Sequence, residues 1–220
     1  MKAIVALLGA GLACASLNAA NDAVKRLETS AVVLDEIMAA PDKGIPSDLF
    51  QKAACVVIVP GLKKGAFIIG GKYGKGFIEC RNEGGSWSAP AAVRIEGGSV
   101  GFQIGGSETD VVLLVMNKRG MEKLLSSKFT IGADASAAAG PVGRTSTAET
   151  DAQMHAEILS WSRARGVFAG ISLEGATMRP DEDSNKDLYG KTLTNREIVM
   201  GNVRPPAGAK MLEQALRKYS

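Results

Sequence analysis

Residues 67–93 read FIIGGKYGKGFIECRNEGGSWSAPAAV, and this stretch decides the fold because glycines interrupt its apolar runs every few residues. A phosphate-binding loop would need its glycines at a fixed spacing directly before a helix. Here the residues after Gly76, FIEC, are typical of a strand. The sequence therefore predicts that the glycines let strands turn, at positions 70, 71, 74, 76, 84 and 85.

The same pattern continues on both sides of this stretch. Short runs rich in β-branched or aromatic residues, separated by glycine-bearing turns, predict an antiparallel sheet of successive hairpins. These runs are CVVIVP, GAFIIGG, GKGFIEC, PAAVRI, GSVGFQIGG, DVVLLVM, KFTIG and GVFAGISLEG. With 220 residues, of which 45% are hydrophobic, the chain can form one domain with a sizeable core. A net charge of +3 and 5% aromatic residues predict no nucleic-acid partner.

Helical segments flank the predicted strands. Residues 21–44 place apolar side chains three and four positions apart. Residues 146–166 begin with an S-x-x-E capping box at Ser146 and Glu149 and give the clearest helix signal of the chain. Shorter helices are predicted over IPSDLFQKAA, KRGMEKLLSS after an Asn117 cap, NREIVMG with a capping box at Thr194 and Glu197, and AKMLEQALRKY. The sequence thus predicts a single α+β domain over residues 45–220, with an antiparallel, open or barrel-like sheet flanked by helices.

The helix over residues 21–44 has two interpretations. Its apolar stripe consists of Val24, Leu27, Ala31, Leu34 and Met38, and Lys25 and Arg26 lie outside it. Such a stripe either lies in a membrane interface or covers the sheet as part of the core. The mixed charges of the polar face leave both interpretations open.

Residues 1–20 have the layout of a secretory signal peptide. One lysine precedes an apolar run over residues 4–12 that is too short to span a membrane as a helix, and small residues follow. Cleavage could follow Ala15 or Ala20, and Cys14 matches part of a lipoprotein signal. We therefore expect an exported protein, periplasmic or associated with the cell envelope, with a lipid anchor at Cys14 as an alternative.

Cys55 and Cys80 both lie in apolar stretches of the mature chain. In an oxidising compartment they could form one disulfide. Because connectivity cannot be read from spacing, we favour two buried thiols that pack as small hydrophobic side chains.

Two motifs that could carry chemistry are incomplete. YGKT at residues 189–192 has Asn185 where a phosphate-binding loop needs its first glycine, and a polar run precedes it instead of a buried strand. The single histidine, His155, lies within the predicted helix at 146–166, and the chain has no G-x-S-x-G motif to accompany it. We therefore expect no enzyme activity and no catalytic residue.

Residues 181–187 carry Asp, Asp, Asn and Asp at alternate positions, as a calcium-binding loop does. An EF-hand also needs glycine at its sixth position and glutamate at its twelfth, where this chain has Lys186 and Thr192. The sequence favours a solvated turn here, and we expect neither a metal nor a cofactor.

The densest basic segment surrounds the predicted turns of the opening stretch. It consists of Lys63, Lys64, Lys72, Lys75 and Arg81. A run of charges is most often a solvated face, but a basic rim on loops also attracts an anionic lipid surface.

The loop GADASAAAGPVGR at residues 132–144 has small side chains, which predict that it approaches the sheet closely. Asp134 and Arg144 are its polar groups.

A series of longer motifs resembles the SYLF lipid-binding domain family from about residue 45 to residue 201. They are GKYGKG, GSWSAPAAV, GGSVGFQIGG, TDVVLLVMN, TIGADASAAAGPVGR, SWSRARGVFAGISLEG and NKDLYGK. The resemblance implies a non-enzymatic module. In eukaryotic relatives the domain binds phosphoinositide-containing membranes with help from an N-terminal amphipathic helix, and yeast relatives also bind actin filaments. The helix over 21–44 stands where that helix would stand, so Lys25 and Arg26 are its matching basic residues.

These observations combine into one functional hypothesis. We expect an exported, non-enzymatic module that binds anionic membrane lipid peripherally through the basic turns and the N-terminal helix. The residues expected to contact lipid are Lys25, Arg26, Lys63, Lys64, Lys72 and Lys75. The competing hypothesis is an envelope protein-interaction or structural module without specific lipid binding, whose protein partner the sequence does not identify.

Overall fold

The computed structural model describes residues 2–40, 44–66, 69–100, 105–140, 156–164, 167–168 and 173–220. The helices within these ranges are α1 Lys2–Met38, α2 Ser47–Lys52, α3 Lys118–Leu124, α4 Glu182–Tyr189, α5 Asn195–Met200 and α6 Lys210–Lys218, with a 3-10 turn at Ala207–Ala209. The strands are β1 Cys55–Ala66, β2 Ile69–Cys80, β3 Ala91–Val100, β4 Gly105–Val115, β5 Phe129–Thr130, β6 Ala137–Ala139, β7 Ile158–Ala164, β8 Val167–Phe168 and β9 Thr177–Pro180.

The strands form one sheet in the order β5-β9-β3-β2-β1-β4-β7-β6, with β8 paired to β7. The pairings are antiparallel except that of β6 with β7, and the sheet curls into a half-barrel. The predicted α+β class is therefore confirmed. The expected chain of successive hairpins holds from β1 to β3 and is wrong beyond them, because β4 pairs with β1 and β9 pairs with β3. This 3-2-1-4 order is that of a Greek key.

The sheet has a hydrophobic core on each face. In β1, Val57 and Val59 pack into one core with α3 and α5, while Val56 and Ile58 pack into the other with α1, α2 and α6. A strand that is buried on both faces needs apolar residues at every position, which explains the uninterrupted run CVVIV.

Most glycines of the opening stretch lie within strands, so the turn prediction is wrong for them. Gly70, Gly71, Gly74 and Gly76 all belong to β2. A Cβ atom on Gly76 would lie 2.0 Å from the Ile58 carbonyl oxygen, so glycine here permits close approach of β1 to β2. The other two predicted positions, 84 and 85, do lie in a turn, at the second of which φ is +78°.

The face of α1 expected to be apolar is buried against the sheet. Leu27, Leu34 and Ile37 are fully inaccessible to solvent and belong to the core shared with α2 and α6. Asp35 accepts hydrogen bonds of 2.8 Å from Lys218 and Tyr219, which fasten the C-terminal segment to the helix. Residues 21–38 are therefore a core helix. Of the helices that the structure describes, none combines the length and apolar character that crossing a membrane requires.

The favoured interpretation of the cysteines is also wrong, because Cys55 and Cys80 form a disulfide. They lie directly opposite each other where β1 pairs with β2, and both are buried. The pairing register brings them together, and spacing in the sequence could not reveal that register.

The polar run at residues 181–187 forms the start of α4 instead of a solvated turn. Asn185 is fully buried, accepts a hydrogen bond from the Ala92 amide at 2.7 Å and donates one to Asn195 Oδ1 at 2.7 Å. Asp181 is also buried and accepts a hydrogen bond from Ser184 Oγ at 2.7 Å. Two of the oxygens that resembled a calcium loop thus hold α4 in place.

The predicted helix at 146–166 is wrong over its second half. Residues 158–164 form β7, in which Ile158 packs into one core and Trp161 into the other. Ser146, Glu149 and His155 lie outside the described residues. The prediction that the small-residue loop approaches the sheet is supported by β6, which pairs with β7, and by Gly140, where a Cβ atom would lie 2.1 Å from Trp161.

Candidate functional site

A cleft of about 1100 Å³ lies between α1 and the ends of β1, β4 and β7. We call it the basic cleft. Its walls carry five basic side chains, namely Lys25, Arg26, Lys63, Lys64 and Arg163. Three acidic side chains also line it, namely Asp22, Glu108 and Asp110. Among the described residues of this lining, cations thus outnumber carboxylates.

A bulge in β1 shapes the floor of the cleft. The pairing of β1 with β4 shifts register between Val59 and Leu62, and Gly61 within the bulge has φ of +60°. Its amide donates a 2.9 Å hydrogen bond to Asp110 Oδ1 of β4, which fixes the bulge against its neighbour. Because a bulge changes which face each later residue occupies, it decides where Lys63 and Lys64 lie.

Arg163 of β7 connects the floor of the cleft to α1. Its Nη2 lies 3.2 Å from Asp110 Oδ2 and also contacts the Glu36 carboxylate. Burial lowers the pKa of Arg163, but the hydrogen bonds to Glu36 and Asp110 outweigh this effect and raise the pKa above its ordinary value. Arg163 is therefore a permanently charged group that ties together α1, β4 and β7.

The other four cations of the cleft are less constrained. Among the described residues, no carboxylate lies within 4 Å of the charged nitrogens of Lys25, Arg26, Lys63 or Lys64. Lys25 and Lys63 are exposed, whereas Arg26 and Lys64 are half-buried. Such side chains can turn toward an anionic group in the cleft without first breaking an internal ion pair.

The remaining two predicted lipid-binding residues lie outside the cleft. Lys72 of β2 is directly opposite Lys64 and only 8% exposed, and burial together with the Lys64 charge lowers its pKa. Lys75 forms a 2.8 Å ion pair with the buried Asp181 carboxylate. The structure therefore brings together four of the six predicted residues. The four lysines expected on turns, Lys63, Lys64, Lys72 and Lys75, lie on strands instead.

Within the described ranges, no three carboxylate, histidine or cysteine side chains are grouped as metal ligands. Asp134 accepts a 2.6 Å hydrogen bond from the Thr130 amide and so closes a local turn.

Arg163 is the member of the cleft that the sequence interpretation missed. The sequence predicts a helix at this position, and a helix gives no reason to expect Arg163 beside Asp110. Once residues 158–164 are a strand beside β4, the register places Arg163 directly opposite Asp110. The only signal in the sequence was an arginine and an aspartate at one end of two apolar runs, DVVLLV and ILSWSR.

Known proteins of fungi and animals have sequences similar to this chain. A family model described as "Ysc84: Las17-binding protein actin regulator" matches residues 96–219. The chain is 37% identical over 175 residues to an SH3 domain-containing protein of Schizosaccharomyces pombe, covering 78% of this chain and 40% of the relative. It is 32% identical over 205 residues to LAS seventeen-binding protein 3 of Saccharomyces cerevisiae, covering 91% and 44%. It is 31% identical over 181 residues to SH3 domain-containing YSC84-like protein 1 of Homo sapiens, covering 82% and 53%. The chain spans about half the length of the curated relatives it matches.

Proposed function

The chain belongs to the Ysc84 family, the family of the SYLF domain, and we propose that it is an exported, non-enzymatic module that binds anionic membrane lipid peripherally through the basic cleft. The family consists of binding and regulatory proteins. The observation that carries the proposal is the convergence of Lys25, Arg26, Lys63 and Lys64, from two separate elements, on one cleft.

The charges of the cleft favour an anionic headgroup over a neutral one. A lysine or arginine near an anionic membrane surface contributes on the order of 1 kcal/mol, so four such residues could together hold a peripheral protein at moderate salt. Asp22 and Glu108 oppose this attraction in part. Arg163 adds its positive charge to the floor of the cleft, although Glu36 and Asp110 already neutralise it locally.

The contribution of α1 differs from the one expected from sequence. Leu27 and Leu34 are fully buried in the core, so insertion of this face into lipid would require the helix to leave the sheet. Lys25 and Arg26 instead contribute from the polar side of the helix, at the rim of the cleft. The proposed contact is therefore electrostatic and sensitive to salt.

Export is the second part of the proposal. The lysine at position 2, the apolar run over residues 4–12 and the small residues after it support a signal peptide. The Cys55–Cys80 disulfide also supports it, because disulfides persist in oxidising compartments such as the periplasm. N-terminal sequencing of the protein isolated from its native host should find a first residue between Cys14 and Asp22. An intact Met1 on the localised protein would reject this part.

Liposome flotation tests the lipid contact. A variant with Lys25→Glu, Lys63→Glu and Lys64→Glu should no longer float with vesicles that contain anionic lipid at low salt. The matched control carries Lys118→Glu, Lys191→Glu and Lys210→Glu, which change the net charge equally at exposed sites outside the cleft. We expect the control to float like the parent protein, and circular dichroism should show both variants folded.

Two results would reject the lipid-binding proposal. If the folded cleft variant floats as well as the parent protein, the basic side chains are only a solvated face. If the parent protein does not float with anionic vesicles at all, the cleft binds no membrane, and the envelope protein-interaction module becomes the better explanation.

A further inference from the structure

Three basic residues lie directly opposite one another on adjacent strands, away from the basic cleft. Lys75 of β2 pairs in register with Arg94 of β3, and Arg94 pairs with Arg179 of β9. Direct partners in an antiparallel sheet point to the same face, about 5 Å apart at Cβ. Three like charges in one row destabilise a sheet unless other groups neutralise them.

The charge of Lys75 is neutralised by a carboxylate, whereas Arg179 has no carboxylate partner among the described residues. Lys75 has the buried Asp181 carboxylate at 2.8 Å, and Glu96 Oε1 lies 2.8 Å from Arg94 Nε, although outside hydrogen-bonding geometry. No carboxylate of the described residues lies within 4 Å of the Arg179 guanidinium. The Nε atoms of both arginines are enclosed, and neither has a hydrogen-bond partner among the described residues.

A small cavity of about 270 Å³ adjoins this incompletely neutralised pair. Arg94, Arg179 and Ser127 line it together with Pro180 and the first two residues of α4, Glu182 and Asp183. Two guanidinium groups and a hydroxyl group are the donors that phosphate oxygens accept from, and guanidinium groups can do so with two parallel hydrogen bonds. The two carboxylates would repel a simple anion but attract an ammonium group.

We propose that this cavity binds a zwitterion in which a phosphate group and an amine lie a few bonds apart, as in phosphoethanolamine. Arg94 and Arg179 hold the phosphate, and Glu182 and Asp183 hold the amine. The paired charges of such a ligand supply the anion that Arg179 lacks and satisfy the carboxylates opposite it. The site is separate from the basic cleft, and the two proposals stand or fall independently.

Isothermal titration calorimetry of the whole chain with phosphoethanolamine, inorganic phosphate and ethanolamine tests the proposal. Phosphoethanolamine should bind about tenfold more tightly than phosphate, because only the zwitterion also pairs with the carboxylates. Arg179→Gln should weaken phosphoethanolamine binding about tenfold or more. Arg196→Gln, at an exposed position of α5 outside both this cavity and the basic cleft, is the matched control and should leave this binding unchanged.

A second variant separates recognition from mere structural damage. Glu182→Gln combined with Asp183→Asn removes two exposed carboxylates, so phosphate should bind more tightly while phosphoethanolamine loses its advantage over phosphate. A folding defect would weaken both ligands. Flotation of this chain with phosphatidylethanolamine vesicles against phosphatidylcholine vesicles then distinguishes a lipid headgroup from a soluble phosphate ester.

The proposal fails if phosphoethanolamine does not bind, if it binds no better than phosphate, or if Arg179→Gln leaves its affinity unchanged in a folded protein. Equal loss of phosphate and phosphoethanolamine binding in the double carboxylate variant would also overturn it.

Discussion

The two halves of the β1–β2 hairpin share one hydrogen-bonded ladder but differ in burial and charge. In the anchored half, residues 55–58 pair with residues 77–80, both faces are buried, and a disulfide joins the strands. In the distal half, residues 63–66 pair with residues 70–73, and charged side chains and glycines replace the apolar ones. The bulge between Ile58 and Lys63 separates the two halves.

The comparison teaches that the buried contacts lie in one half of the strand pair, whereas the ligand contact that we propose lies in the other half. The anchored half builds both cores, so its side chains are constrained from every direction. The distal half carries Lys63 and Lys64 of the basic cleft, and a Cβ atom on Gly65 would touch nothing within 4 Å. Substitutions in the anchored half should therefore change stability strongly, and those in the distal half weakly.

The largest effect is expected from Gly76→Ala, directly beside the anchored half and against its residue Ile58. A Cβ atom at this position would lie 2.0 Å from the Ile58 carbonyl oxygen and 2.8 Å from the Val59 Cα, so the backbone of β1 would have to move. The free energy of unfolding should fall by about 3 kcal/mol or more, because rotation of a side chain cannot relieve this overlap. Urea denaturation followed by circular dichroism measures the change.

Gly65→Ala in the distal half is the control for that experiment. The added methyl group enters open space, so the free energy of unfolding should change by no more than about 0.5 kcal/mol. Equal losses from the two substitutions would show that the halves do not differ in packing.

Removal of the disulfide should have the next largest effect. Cys55 and Cys80 are 25 residues apart in sequence, and a crosslink that closes a loop of this length stabilises a protein by about 3 kcal/mol. Cys55→Ala combined with Cys80→Ala should lower the unfolding midpoint accordingly. A reducing agent should lower the midpoint of the parent protein to a similar degree and leave the variant unaffected. A parent protein indifferent to reduction would contradict the prediction.

Glu79→Gln should stabilise the anchored half in a pH-dependent way. Glu79 is 1% exposed, and neither carboxylate oxygen has a hydrogen-bond partner among the described residues. Burial, assisted by the Glu213 carboxylate of α6, raises the pKa of Glu79 well above its ordinary value of 4.5. Tyr189 of α4 also faces this group, and burial with the same two carboxylates raises its pKa above the usual range.

The sign of the pH dependence follows from the raised pKa. The folded chain holds the Glu79 proton more tightly than the unfolded chain, so the free energy of unfolding falls as the pH rises above 4.5. Each pH unit in that window costs about 1.4 kcal/mol. The advantage of Glu79→Gln over the parent protein should therefore grow as the pH rises above 4.5, until the raised pKa of the folded state is reached. Glu83→Gln, in an exposed turn, should show no such growth. Parallel pH profiles for the parent and Glu79→Gln would reject the prediction.

The anchored half is also the part that the sequence predicts best. Runs such as CVVIVP and DVVLLVM are apolar at every position, which few structures other than buried strands accommodate. The sequence interpretation is wrong where apolar residues fit the spacing of a helix but belong to a strand that is buried on both faces. Met154, Ile158 and Trp161 fit one face of a helix, yet Ile158 and Trp161 lie in a strand between two cores. Pairing with β4 and burial in two cores favour the strand over the helix, and these contacts come from residues far away in the sequence.

The basic cleft could be predicted only in part, for a related reason. Lys63 and Lys64 are recognisable as part of a dense basic segment, but the bulge that positions them depends on the register of β1 with β4. Arg163 joins the cleft because β7 lies beside β4, a pairing between residues more than 40 positions apart. The charge of each residue can be predicted from the sequence, whereas the face of the sheet that each charged side chain occupies depends on the strand register.

The smallest effects should come from the two neighbouring lysines of the distal half, and they should have opposite signs. Lys64 lies opposite Lys72 in β2, whereas Lys63 lies opposite Glu108 in β4. Lys64→Glu replaces a like-charge pair by an opposite-charge pair and should raise the free energy of unfolding by about 0.5 kcal/mol. Lys63→Glu creates a like-charge pair and should lower it by about 0.5 kcal/mol.

These two substitutions change the net charge of the chain equally, so each controls for the other. In 1 M NaCl, where the Debye length is about 3 Å, both effects should shrink. Shifts of the same sign would show that bulk charge, and not the cross-strand partner, controls stability here. Both lysines line the basic cleft, so both variants should bind anionic vesicles more weakly than the parent protein. Lys64→Glu would then be more stable than the parent protein and a poorer binder, which is the result expected if Lys64 is present for ligand contact at a small cost in stability.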